Sequence, residues 1–148
     1  MTSPTQARTL ARRCAVQALY QWQLAGHDLS EIERQFVEEH GLGEADPGYF
    51  NELLHQIPQR LDEIDRAMSE FLDRSLASVD PVERAILRIG GYELLFRPDI
   101  PYRVVLNEGI NLAKGFGAAH SHKYVNGILD KIAHKHRATE VGAGRGQN

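Results

Sequence analysis

The sequence predicts an all-α protein, a compact bundle of about six or seven helices, and three observations carry that expectation. Apolar residues recur at the three- and four-residue spacing of a helix face along most of the chain. Helix-starting and helix-ending residues punctuate these stretches at plausible lengths. No segment alternates apolar and polar residues between turn signals, as half-buried strands do, and no fixed-period repeat is present. With 148 residues, 42% of them apolar and 25% charged, the chain is long enough to bury a core as one domain.

Residues 5–25 form the first expected helix, with Leu10, Cys14, Val16, Ala18, Leu19 and Trp22 on its apolar side and Gly26 as its stop. Ser30 is placed to cap a second helix, since Glu31 and Glu33 follow where the helix dipole favours acids. Ile32, Phe36 and Val37 supply its apolar side before Gly41. Pro47 opens a third, carrying Tyr49, Phe50, Leu53, Leu54 and Ile57. Pro58 lacks an amide donor and should kink or divide it, with Leu61, Ile64, Met68, Phe71 and Leu72 continuing the stripe. Asp80-Pro81-Val82-Glu83 combines a capping acid, proline at the first helical position and an acid three residues after the cap. The helix it starts runs through Ile86, Leu87, Ile89, Leu94 and Leu95 to Pro98. Gly90 and Gly91 inside it cost about 1 kcal/mol each relative to alanine, and close packing by another helix would explain them. Pro101 starts a further helix through Leu106, Ile110 and Leu112, ending near Gly115 or Gly117. Ser121 is placed to cap the last, whose buried side is Val125, Ile128, Leu129 and Ile132.

The net charge of −3 hides an uneven distribution. Residues 1–26 hold three arginines and no acid, residues 27–80 hold fourteen acids against four bases, and residues 81–148 hold ten bases against six acids. Basic ends therefore flank an acidic middle. If the ends meet in space they make one surface able to neutralise phosphates; otherwise these charges solvate helix faces. No apolar run approaches the roughly 18–20 residues of a membrane span, and Arg8, Arg12 and Arg13 interrupt any secretory-signal core. A single cysteine, Cys14, fits a reducing cytoplasm, so the expected location is cytoplasmic.

Catalytic and metal signals are thin. His120-x-His122 and His134-x-His136 lack the i,i+4 spacing that puts two ligands on one helix face. Cys14 lies on an apolar face and reads as a core thiol. Asp62, Glu63 and Asp65 read as a solvated acidic face, and no nucleophile elbow or phosphate loop is present. The chain is expected to be no enzyme, with no metal and no cofactor.

Binding signals are better. Arg8 and Arg12 share a helix face beside Arg13, and guanidinium groups suit phosphates and stack on bases. At the start of the last helix, His120, His122 and Lys123 supply positive charge where a helix N-terminus also favours anions. Tyr124 either offers a stacking face or packs in the core. Asn126 either reads base edges or, with Gly127, serves close helix packing. Single-stranded RNA recognition uses this mixture of cation, ring and amide.

In order and spacing, five segments resemble the NusB family of bacterial transcription antitermination factors. They run from Arg12 to Trp22 (RRCAVQALYQW), Val82 to Ile89 (VERAILRI), Pro101 to Glu108 (PYRVVLNE), Leu112 to Gly117 (LAKGFG) and Ser121 to Lys131 (SHKYVNGILDK). The resemblance implies a fold of two packed helical subdomains, residues 1–137 as an RNA-binding domain and 138–148 as a flexible tail. It implies binding of boxA, a short single-stranded element of nascent ribosomal RNA, together with the ribosomal protein NusE, and loading with other Nus factors onto RNA polymerase. No membrane is involved. Mapped residue by residue, Arg8, Arg12, Arg13, His120, Lys123, Tyr124 and Asn126 would face RNA. Tyr20 and Glu83 would face NusE, with a capping-box role competing for Glu83, while Trp22, Leu87 and Leu129 belong to the core. Thr9 and Leu10 interrupt an arginine run that is denser in some relatives. His120 stands where some relatives carry an acid, so it would compensate by removing phosphate repulsion. Two alternatives are a helical protein-binding adaptor without specific RNA recognition and the helical domain of an RNA cytosine methyltransferase. Against the latter, the sequence lacks a Gly-rich strand–loop–helix unit.

Overall fold

The structure, a computed structural model, describes residues 2–117 and 120–146. Among them are eight α-helices and no strand, so the all-α expectation holds with one helix more than its upper figure. The chain divides into two units, residues 1–61 and 62–148.

The first unit holds α1 (Pro4–Ala25), α2 (Leu29–Arg34), which runs on as a π-helical stretch (Gln35–His40), and α3 (Pro47–Gln59). α1 begins one residue before the expected start because Ser3 caps it. The Ser3 hydroxyl accepts from the Gln6 amide, and the Gln6 side chain accepts from the Ser3 amide, each at 3.1 Å. Gly26 ends the helix with φ 65°, a left-handed conformation that costs glycine little. Asp28, two residues before Ser30, occupies the cap position of α2, so Ser30 is not its cap. The π-helical turns shift the helical register: Phe36 is buried, but Val37, expected on the apolar side, is exposed. Asp46 starts α3 by accepting from the Tyr49 amide at 3.1 Å, and its own amide donates to the Ala7 carbonyl at 2.9 Å. That pair of bonds fixes the start of α3 on α1. Ala11, Ala15, Leu19, Ile32, Leu53, Leu54 and Ile57 are fully buried. Trp22, expected in the core, is only half-buried, as is Leu10.

Pro58 divides the next helical stretch, since α3 ends at Gln59 and α4 (Leu61–Ser69) begins anew. Phe71 and Leu72 lie beyond the end of α4. After a 3-10 turn (Leu76–Ser78) come α5 (Pro81–Phe96), α6 (Tyr102–Phe116), α7 (Ser121–His136) and α8 (Ala138–Gly146). The start of α5 obeys the sequence signal: the Asp80 carboxylate accepts from the Val82 and Glu83 amides at 3.0 and 3.1 Å. α5 is the central helix of the second unit, buried without a break from Ala85 to Leu94, with α6 and α7 packed on it and on each other.

The glycines of α5 have a packing reason. A Cβ at Gly90 would stand 2.6 Å from a Leu129 methyl, and one at Gly109 of α6 would stand 2.7 Å from the other. Leu129 of α7 is therefore a wedge seated between two glycines, while a Cβ at Gly91 would crowd Ile64 at 3.2 Å. Gly127 has no such role, since a Cβ there would meet open space. Arg88 of α5 ties back to α4 through a two-point pair with Asp65 at 3.1 and 3.0 Å.

Residues 138–146, expected as part of a tail, form α8 because Arg137 anchors it. The buried Arg137 guanidinium donates to four backbone carbonyls, of Leu94 (2.8 Å), Ile100 (3.0 Å), Glu93 (3.0 Å) and Arg97 (2.9 Å). It thus adds a donor to carbonyls at the end of α5 and in the turn after it, of which Glu93 and Arg97 also accept backbone amides. Glu140, one turn into α8, accepts from Arg137 at 2.7 Å and from the Tyr102 amide at the start of α6 at 2.8 Å. Val141 then buries its side chain. Burial pushes the Glu140 carboxyl up, but the bonds from Tyr102 and Arg137 outweigh it and hold the group below its ordinary range.

Candidate nucleic-acid interface

The predicted residues fall in both units. In the first, α1 carries Arg8, Arg12 and Arg13, and its packing against α3 sorts them. Arg8 and Arg12, four residues apart, both reach the ring of Tyr49, their guanidinium carbons 4.9 and 5.4 Å from its centroid. Arg12 is only 2% exposed, whereas Arg8 is half-buried and Arg13 projects to solvent. Arg12 is thus a packing cation, and Arg8 and Arg13 are the members of the set a phosphate can reach. Tyr49 carries no sequence signal for this role, because its spacing marks it only as part of an apolar stripe.

Further along α1, Cys14, Gln17, Tyr20, Gln21, Leu24 and Ala25 line one side of an open groove, with Phe36, His40 and Gly41 opposite. Within it Leu24 is 55% exposed and Tyr20 39%. Burial pushes the Cys14 thiol up despite Arg13 nearby, so it stays protonated at neutral pH and is a poor nucleophile.

In the second unit the start of α7 gathers the other group. His120 holds the cap position but makes no side-chain cap bond. Ser121, expected to cap, is instead the first helical residue and is buried, its hydroxyl donating to the Glu83 carboxylate at 2.7 Å. Glu83 therefore ties the start of α5 to the start of α7 and places a carboxylate near α7's positive end. His120 and Lys123 are exposed, and Asn126 is half-buried. Tyr124 is half-buried too, which resolves the sequence alternatives: it is no core residue, and its hydroxyl donates to Asp73 at 3.4 Å.

Asp73 and Arg74, between α4 and the 3-10 turn, have no motif to mark them. Arg74 donates from Nε and Nη2 to the Asp73 carboxylate at 2.8 and 3.1 Å, and its guanidinium carbon lies 5.0 Å from the Tyr124 ring centroid. The hydrogen bond from Arg74 holds the Asp73 carboxyl below its usual range, whereas burial and the Asp73 charge push the Tyr124 phenol up. Around neutral pH the cluster is one carboxylate, one guanidinium and a neutral phenol.

A model of the NusB family matches residues 9–134. The transcription antitermination protein NusB of Nitrosococcus oceani is 59% identical over 133 residues, covering 90% of this chain and 89% of its own. Among solved structures, Thermotoga maritima NusB superposes with a TM-score of 0.77 at 35% identity, covering 92% of this chain and 94% of its own. Antitermination factors NusB and NusE in complex with double-stranded RNA give 0.76 at 32% identity, covering 85% and 95%. Among the described residues no helix is long and apolar enough to cross a membrane. Both the fold and the arginine and Ser-His-Lys segments within it lead to the same place: the chain belongs to the NusB family.

Proposed function

We propose that this chain is a transcription antitermination factor that binds boxA RNA of nascent ribosomal transcripts with NusE and supports assembly of the Nus factors on RNA polymerase. It works in the cytoplasm by binding and catalyses no reaction. The observation that carries the reading is the start of α7, where exposed His120 and Lys123 precede a half-buried Tyr124, with Asn126 about one turn after Lys123. Cation, stacking ring and amide within one helical turn and a half suit a flexible single strand. Arg8 and Arg13 add phosphate contacts from the first unit, and Arg12 supports them through Tyr49. Tyr20 supplies the NusE-facing surface with Leu24, in an exposed groove of the kind that protein partners cover. Glu83 of the second unit, engaged by Ser121, holds α5 to α7 and offers a charge for the same partner.

Titration of boxA RNA and a scrambled RNA against the chain, with and without NusE, tests the reading. Preferential boxA binding that strengthens with NusE is the expected result. Equal binding of both RNAs in every mixture overturns it. The groove also favours a second reading, a protein-binding adaptor without RNA specificity, for which NusE binds but neither RNA adds to the complex.

A further inference from the structure

Arg74 stands where a base would stack. It is exposed, and its guanidinium carbon lies over the ring of the half-buried Tyr124, 5.0 Å from the centroid. Its ionic partner is the neighbouring Asp73, itself exposed, which also accepts from the Tyr124 hydroxyl. Lys123, one residue along α7, is exposed beside them. We propose that Asp73 and Arg74 form a displaceable cover over Tyr124: an RNA base takes the ring face, and Arg74 swings off to bind a phosphate of the same strand. The inference rests on the RNA-binding reading above and adds its regulation.

Magnitudes favour displacement. An exposed cation–ring contact is worth about two- to fivefold in an equilibrium, and an exposed ion pair between chain neighbours is screened by salt. A base stacked on an aromatic ring is worth about five- to 150-fold. Arg74 also keeps its electrostatic reward, exchanging a carboxylate for a phosphate. Asp73 acts in the opposite sense. Once Arg74 leaves, its carboxylate is bare beside RNA, so the pair discriminates against strands that do not both stack and present a phosphate.

The full chain with NusE at saturation is titrated with single-stranded boxA RNA over a salt series, as wild type, Arg74→Ala and Asp73→Asn. Both side chains are exposed, so both variants should fold. Arg74→Ala should weaken binding and reduce the slope of log K against log salt by about 0.7, one phosphate contact on a single strand. Asp73→Asn should tighten binding by about two- to fivefold while keeping the slope. In NMR spectra, the Arg74 side-chain protons should show the ring-current shift of Tyr124 in the free protein and lose it with RNA. If wild type binds no RNA, the underlying reading fails. If wild type binds but Arg74→Ala matches it in affinity and slope, or the ring-current shift persists in the complex, the cover is wrong.

Discussion

Replacing Gly90 with alanine should change sign with the residue that faces it. In the native core the new methyl would stand 2.6 and 2.7 Å from the two Leu129 methyls, against an ordinary carbon–carbon contact of about 3.5–4.0 Å. Leu129 must then retreat about 1 Å, and Gly109 blocks the other side, since its own hydrogen faces Leu129 with no room for a Cβ. Overpacking of this kind costs about 1–3 kcal/mol. The helix gains about 1 kcal/mol from losing a glycine, so the net loss is about 1 kcal/mol. Leu129→Ala alone opens a cavity and should cost about 3–5 kcal/mol. In that background the three atoms nearest the Gly90 methyl are gone, so the same substitution should now stabilise by about 1 kcal/mol. The coupling between the sites is then about 2 kcal/mol. Urea unfolding followed by far-UV circular dichroism, with the four proteins compared at equal m-values, measures it. Additive effects, with Gly90→Ala destabilising both backgrounds equally, would show that Leu129 is not the wedge.

The arginines of α1 should separate by kind. Arg13→Ala and Lys123→Ala are expected to weaken boxA binding and lower its salt slope by about 0.7 each, while Arg12→Ala should mainly lower the melting temperature, because its guanidinium is buried on Tyr49. His120→Asp should weaken boxA binding at low salt by restoring phosphate repulsion, and unchanged affinity there removes the compensation idea. The Glu140 carboxyl is held below its ordinary range, so its contribution is present above the unfolded pKa and is lost as pH falls through the folded one. Between about pH 6 and pH 3, wild type should therefore lose more melting temperature than Glu140→Gln; parallel curves would refute the link. Tyr20→Asp should lower NusE affinity and leave binding of RNA alone unchanged, as measured by calorimetry.

Much of the fold was legible because helix signals are local. Asp80-Pro81, Gly26 and Pro58 act within a turn of themselves, and each stands where the sequence placed a boundary. The errors arise where a local signal had a competitor: Asp28 took the cap position expected of Ser30, and Glu83 drew the hydroxyl of Ser121 away from capping. The end of the chain departs from expectation for a different reason. Its glycines and polar groups look like a tail, yet Arg137 finds four carbonyls contributed by α5 and the turn after it, distant in sequence.

The site shows the same division. Residue types and their order along the chain were enough to identify the family, and they made Arg8, Arg12, Arg13, His120, Lys123, Tyr124 and Asn126 candidates for RNA contact, because phosphate and base recognition demand particular chemical groups. Which of those groups meets solvent was decided by tertiary structure alone. Arg12 and Arg13 are neighbours of identical chemistry, and only the packing of α1 within the first unit buries one and leaves the other exposed. Likewise nothing near Tyr124 in the sequence announces Asp73 and Arg74. The sequence by itself thus determined the helices and the chemistry they carry, since periodicity and caps operate over a few residues. The tertiary structure decided exposure, the glycine-seated wedge and the contact of Asp73 and Arg74 with Tyr124, since each depends on a partner brought close only by packing.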